Sequence, residues 1–243
     1  MIKKNHCFNW SSLTRQQIFN HFMQIAPKIV DKKLTPTRIQ KIFLTHAQKL
    51  APITVSRHAS AETYQQYVYI GGQYDSDYDS QSLIPIALIF QYHPLDDLIS
   101  LSFKKFKKSC MLIADTLLHE IIHMRQYRRR DFSSRPDYKS TATSERKRNE
   151  QGYMGNYDEI DAYSFNVACE LYHHFKTDNK SIYRYLDSSN KHNKKSPIYK
   201  WYLKTFDYDH NHPVIKKLKT KVIKYLPMAA LGKPYKNNDW IWY

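Results

Sequence analysis

Thr116-Leu117-Leu118-His119-Glu120-Ile121-Ile122-His123-Met124-Arg125-Gln126-Tyr127 is the stretch from which the rest of this chain is read. Positions four apart on an α-helix lie nearly above one another, so His119 and His123 project from one face. Two imidazoles so placed can hold one Zn²⁺ at about 2.0–2.1 Å. Glu120, beside His119, is a natural base for a water on that ion. The flanking sequence favours a helix, because positions 103–130 contain no Gly or Pro, the two strongest breakers. Leu112, Ile113, Leu117, Ile121 and Met124 recur at helical spacing and predict a buried stripe.

A zinc site with two histidines needs a third protein ligand and one open position. The second informative stretch, Asn156 to Ala168, carries the acids for it. Glu159 is the preferred ligand, with Asp158 and Asp161 as alternatives in the same turn and Glu170 further along. Ala162, Phe165, Ala168 and Leu171 continue a helical period there, which Asn156 or Asp158 can cap.

At 243 residues the chain has room for one large domain or two small ones. No apolar run approaches the eighteen or so residues of a membrane span. The basic start, Met1 to Cys7, has no long apolar core after it and does not read as a secretory signal. Cys7, Cys110 and Cys169 are odd in number and widely spaced. That argues against a disulfide framework and for a reducing, cytoplasmic compartment, including that of a host if the chain is virus-encoded. Cys110 and Cys169 are expected as small core residues. The formal charge of +16 admits a nucleic acid or other acidic partner. It is equally explained by a Lys-, Asn-, Tyr- and Ile-rich composition with solvated lysines.

In chain order, residues 1–60 read as an N-terminal helical segment. Ser12 caps a first helix with Leu13, Ile18, Phe19 and Phe22 inward, and Pro27 ends it or begins a turn. Thr35 and Pro36 open a second helix carrying Ile39, Ile42, Phe43, Ala47 and Leu50. Residues 61–178 read as the core. Two strands are expected, Tyr64 to Ile70 and Leu83 to Tyr92, joined by Gly71-Gly72 and a polar stretch from Gln73 to Ser82. Asp75, Asp77 and Asp79 mimic a calcium loop. Ser80 stands where Gly is needed and Ile86 where the bidentate Glu should be, so a solvated acidic turn is expected. Pro85 implies an edge strand or a strand's start. An edge strand beside the active helix would bind an extended peptide by strand addition.

Arg125, Arg128, Arg129 and Arg130 suit a helix C-terminus. Residues 131–156 read as a polar loop or lid. Residues 179–243 form a basic, aromatic C-terminal helical segment, with Tyr183, Tyr185, Trp201, Tyr202 and Phe206 packing inward. Pro213 to Tyr225 is an amphipathic helix within it. Asp239-Trp240-Ile241-Trp242-Tyr243 is a docked end or a partner-binding tag. His192, His210 and His212 have no ligand spacing with acids.

His119-Glu120-x-x-His123 followed by Glu159-x-Asp161-Ala162-x-x-Phe165 resembles the zincin metallopeptidases with a glutamate third ligand. The second stretch is most similar to the E-x-E-A-N-x-F-A helix of ImmA/IrrE-type peptidases, with Asp161 in place of Glu, Tyr163 in place of Asn and Asn166 in place of Ala. His123-x-x-Gln126-Tyr127 is also similar to small phage and bacterial zincins. No later H-G element offers the third histidine of a SprT-like site. The resemblance covers roughly residues 83–172 and implies an α+β fold: a small sheet, an H-E-x-x-H helix and a ligand helix, flanked here by N- and C-terminal helices. It implies hydrolysis of a protein or peptide bond, with Glu120 as general base and Zn²⁺ on His119, His123 and Glu159. It further implies a phenol at the developing oxyanion, from Tyr163, Tyr153 or Tyr157, and a carboxylate such as Asp161 orienting a ligand histidine. The alternative expectation is a nucleic-acid or nucleoprotein-binding protein with an inactive or structural core of this kind.

Overall fold

The computed structural model describes residues 10, 13–176, 178–188 and 195–230. Cys7 and the rest of the basic start, Ser12, His192 and the aromatic end 239–243 lie outside the described residues. The chain is mixed α+β and divides into two compact units, residues 1–133 and 134–243.

The first unit begins with α1 (Arg15–Met23), capped by Thr14. Thr14 Oγ1 accepts from the Gln17 amide while the Gln17 side chain accepts from the Thr14 amide, a reciprocal capping box. Pro27 sits in the first turn of a short α2 (Ala26–Ile29), where its missing N–H costs nothing. After β1 (Lys33–Leu34), Thr35 and Pro36 open α3 (Pro36–Leu50) as the sequence implies. Ile18, Phe19 and Phe22 of α1 and Ile39, Phe43 and Ala47 of α3 are buried.

The sheet departs from the sequence reading in three places. The segment expected to be wholly helical contributes a strand, β2 (Ile53–Ala59), whose Ile53 and Val55 alternate inward. The strand expected over residues 64–70 lies further on, as β3 (Tyr69–Tyr74), and includes Gly71-Gly72 instead of turning there. Finally, β4 (Ile86–Tyr92) is the central strand, parallel to β2 and antiparallel to β3. Pro85 therefore stands immediately before a strand, where no ladder hydrogen bond is lost, and the edge strands are β2 and β3. A second, two-stranded ribbon pairs β1 with β5 (Ile99–Ser100).

Ile53, Val55, Ile86, Leu88 and Phe90 are buried on the sheet. Phe43 of α3 meets Phe90 at 4.6 Å between ring centroids and Phe106 at 6.3 Å. Phe106 belongs to α5 (Phe103–Arg128), which packs on β3, β4 and α1. The acidic turn is a short helix, α4 (Ser76–Ser80), capped by Asp75. It is not wholly solvated: Asp79 is buried, accepts from the Tyr74 hydroxyl at 2.9 Å, and is gripped bidentately by Arg128 at 2.6 and 2.8 Å. Arg128 thus joins α5 to α4 instead of only meeting the helix dipole.

The second unit is helical. The stretch expected as a loop or lid holds α6 (Glu145–Gly155). Arg148 of α6 donates to the Ala142 and Thr143 carbonyls, and Lys147 pairs with Asp207. A Cβ on Gly155 would stand 2.4 Å from the Tyr138 ring, so Gly is required by close approach. Then come α7 (Tyr157–Phe175), α8 (Asn179–Asp187), α9 (Pro197–Thr205) and α10 (Pro213–Ala230). Ala162, Phe165, Ala168 and Leu171 of α7 are buried, as are Val214, Ile215, Leu218 and Val222 of α10, the helix packed along α7. Tyr185, Tyr202 and Phe206 are core residues, whereas Tyr183 and Trp201 remain more than a third exposed. Cys110 and Cys169 are buried free thiols. No helix among the described residues is long and apolar enough to cross a membrane.

A stacked histidine pair ties α1 to α3. His21 and His46 lie 4.0 Å apart between centroids, and each Nε2–H donates to the other's backbone carbonyl, at 2.8 and 2.7 Å. Burial, with His21, Lys49 and Lys28 adding, holds His46 below the ordinary imidazole value against the raising effect of its hydrogen bond to the His21 carbonyl. Burial does the same to His174 and His210. A depressed histidine favours the fold above its unfolded pKa of about 6.5 and loses that contribution as pH falls toward its folded value, because the unfolded chain binds the proton first. Thermal unfolding of metal-free protein should therefore be flat above about pH 7 and shift to lower temperature from about pH 6.5 to 5.5. The shift should be smaller in His46→Gln; an unchanged pH dependence in that variant would exclude His46 as a contributor.

Candidate metal centre

The long α5 starts at Ser102, whose Oγ accepts from the Lys105 amide. Along its middle the apolar stripe of the sequence reading is realised: Ile113, Leu117, Ile121 and Met124 are buried, while Leu112 is partly exposed. Within this apolar stretch polar side chains are also buried, among them His119, Glu120 and His123, each 7–8% exposed. A buried charge or imidazole without a reason is costly.

The two histidines face one another as their spacing demands. Their Nε2 atoms are 3.1 Å apart, with ring planes at 73°. Two ligands on one tetrahedral ion at about 2.05 Å stand about 3.3 Å apart, so the pair needs a shift of only a few tenths of an ångström to share a Zn²⁺. The donor set fits the ion in chemistry as well as spacing. The other nitrogen of His123 is engaged by Gln126, whose Oε1 lies 3.0 Å from Nδ1. A carbonyl oxygen only accepts, so Nδ1 carries the proton and Nε2 presents its lone pair. Gln126 thereby fixes the tautomer that a metal requires.

Glu120 is shaped by the sheet. A Cβ on Gly72 of β3 would fall 2.6 Å from Glu120 Oε1, 2.8 Å from its Cγ and 2.5 Å from Thr116 Cγ2. Only a glycine lets this edge strand run so close to the carboxylate. One turn before His119, Asp115 accepts from Arg15 Nε at 2.5 Å and from its NH2 nitrogen at 2.9 Å, locking α1 to α5.

Glu159 lies in the first turn of α7, in the second unit, after the Asn156 cap whose side chain accepts from the Asp158 amide. In that unit it belongs to a tyrosine cluster. The Tyr153 hydroxyl is 3.1 Å from that of Tyr163 and hydrogen-bonds Glu159. Burial, then Tyr163 and Glu159, push the Tyr153 phenol upward; burial, then Glu159 and Tyr163, do the same to Tyr202. Both shifts favour the protonated phenol.

The neighbouring acids have partners of their own in the second unit. Asp158 is buried 3.7 Å from Arg135 Nε. Asp161 pairs with Lys221. Glu170 accepts from the buried Ser196 hydroxyl. Arg135, Lys217 and Lys221 all lie over the Tyr157 ring at 4.0–4.5 Å.

Sequence reasoning quoted Gln126 and Gly72 without giving either a role, and it left Arg15 and Asp115 out. A Gln one turn after the second histidine was a readable signal. The Gly72 contact and the Arg15–Asp115 pair, a hundred residues apart, left no local trace.

No protein-family model, curated protein or solved structure matches the chain.

Two substitutions separate the parts of this centre. Gln126→Leu frees the His123 tautomer and should lower zinc affinity about 10–100-fold, read by competition with a chromophoric chelator. Gly72→Ala should displace the Glu120 carboxylate and cost about 1–3 kcal/mol of stability by overpacking, while zinc affinity stays within about twofold. Denaturant unfolding and the same chelator assay measure both effects.

Proposed function

We propose that the chain is a zinc-dependent metallopeptidase, built as a minimal zincin, in which His119, His123 and Glu159 each offer one ligand atom to the ion and Glu120 is the general base. The observation that carries the reading is the opposed pair of Nε2 atoms at 3.1 Å on the helix that also buries Glu120. The α+β first unit supports it, with a small sheet whose edge strand β3 lies against that helix.

Bound zinc supplies a Lewis acid and lowers the pKa of water toward about 7. The residues divide the remaining work. His123, held by Gln126, keeps its lone pair directed and its ring fixed. Glu120 takes the proton of the attacking water at a carboxylate oxygen and returns it to the leaving amine nitrogen. Its burial among apolar neighbours keeps bulk water from competing for that proton. Tyr153, a phenol held protonated by its burial, and Tyr163 beside it are the donors for the oxygen of the scissile carbonyl as negative charge develops. An extended peptide adds to the outer edge of β3, where main-chain groups align it without reading its sequence. The substrate class is accordingly a protein or peptide in an extended conformation.

Metal content by mass spectrometry, on protein purified without added metal or a histidine tag, tests the ligand set. About one zinc per chain is expected in the wild type and in Glu120→Gln, and none in His119→Ala or Glu159→Ala. Cleavage of an unfolded protein such as casein should be lost in Glu120→Gln with zinc retained. Zinc retained in Glu159→Ala would transfer the third position to another acid; cleavage retained in Glu120→Gln would overturn the general-base role.

A further inference from the structure

Five cations of the first unit converge on one concave place. A cavity of about 470 Å³ opens between α2–β1 and the outer face of α3. Lys28, Lys32, Arg38, Lys41 and Lys49 line it, and no carboxylate does. All five are exposed, and none is paired with a carboxylate among the described residues. Arg38, Lys41 and Lys49 share the solvent face of α3, because the opposite face, Ile39, Phe43 and Ala47, is spent on the core. From Arg38 to Lys49 this stripe runs about 16 Å along the helix axis. Lys28 and Lys32 face it from the other wall.

His46 reports the field within the cavity. It lines the same wall, and after burial, Lys49 and Lys28 are among the groups that make it harder to protonate. Five like charges converging on a depression repel one another in the empty state, and an anionic ligand relieves that repulsion. The shape decides between polyanions. A bilayer surface is flat and would meet only the rim, whereas a phosphodiester chain follows a groove and brings successive phosphates to both walls.

We propose that this groove binds the phosphate backbone of a single nucleic-acid strand, without reading its bases, independently of the metal centre. Each phosphate neutralised releases counterions, so affinity falls with salt at a slope of about −0.7 per contact for single strands. Five cations predict a slope of about −3.5.

The test uses the full chain, a fluorescein-labelled 20-nucleotide single-stranded DNA and anisotropy titrations from 50 to 300 mM salt. The double variant Lys41→Glu/Lys49→Glu should bind roughly 25-fold more weakly at 0.1 M salt, with the slope reduced by about 1.4. Lys216→Glu/Lys224→Glu on α10 makes the same change in net charge at two exposed positions far along the sequence, and should bind within about threefold of wild type. Equal losses in both variants would overturn the groove in favour of bulk charge. No binding by wild type at 50 mM salt would overturn it outright. So would capture by phosphatidylserine vesicles that is lost in the Lys41/Lys49 variant while the oligonucleotide does not bind. Glu120→Gln should bind the oligonucleotide like wild type, so failure of the peptidase reading and failure of this one are read separately. Circular dichroism of both lysine variants confirms that surface charge alone has changed.

Discussion

The first unit is built around a cost: polar side chains, among them His119, Glu120 and His123, are buried in the middle of its longest helix. In a low-dielectric interior such groups are tolerated only when each has a defined partner. His119 and His123 turn their Nε2 atoms on each other, Gln126 takes the remaining nitrogen of His123, and Gly72 opens the space that Glu120 fills. The arrangement uses every atom of the pair that a metal would use. That is why the helix must be long, apolar around the site and unbroken.

Holding such a helix still takes more than a hydrophobic stripe, which would allow sliding and rotation. Two bidentate guanidinium–carboxylate pairs pin it on either side of the site. Arg15 reaches Asp115 from α1, and Arg128 reaches Asp79 from its own last turn. Fork-to-fork pairs of this kind are directional as well as attractive. They set the register of α5 against α1 and α4 and, through Tyr74, against the end of β3. Partial burial makes each pair more costly to break than a surface pair, so their value lies in geometry as much as in net energy.

The same economy governs the positive charge. In the second unit many cations are used internally: Lys147 on Asp207, Lys221 on Asp161, Lys219 on Asp187, and Arg135 and Lys217 over Tyr157. The five that line the α2–α3 cavity have no such carboxylate. A formal charge of +16 therefore says little about where cations cluster, and these five are one place where they do.

Much of this was written in local sequence. The spacing of His119 and His123, the absence of Gly and Pro from 103 to 130, the Thr35–Pro36 start and the inward face of α7 are all consequences of helix geometry acting over a few residues. They determined the long helix and the placement of His119, Glu120 and His123 on it. What sequence alone left open depended on partners remote along the chain. β2 sits in a segment that reads as helical and owes its place to parallel pairing with β4, about thirty residues away. Gly71-Gly72 reads as a turn by propensity, but both residues pair with β4, and at Gly72 the approach of Glu120 and Thr116 leaves room only for a residue without a side chain. Asp79 and Asp161 look like solvated charge until Arg128 and Lys221 arrive from other helices. Helical periodicity is a short-range property and survives in one dimension; strand order, close approach and ion pairing are set by which distant surfaces meet, and only the folded chain decides them.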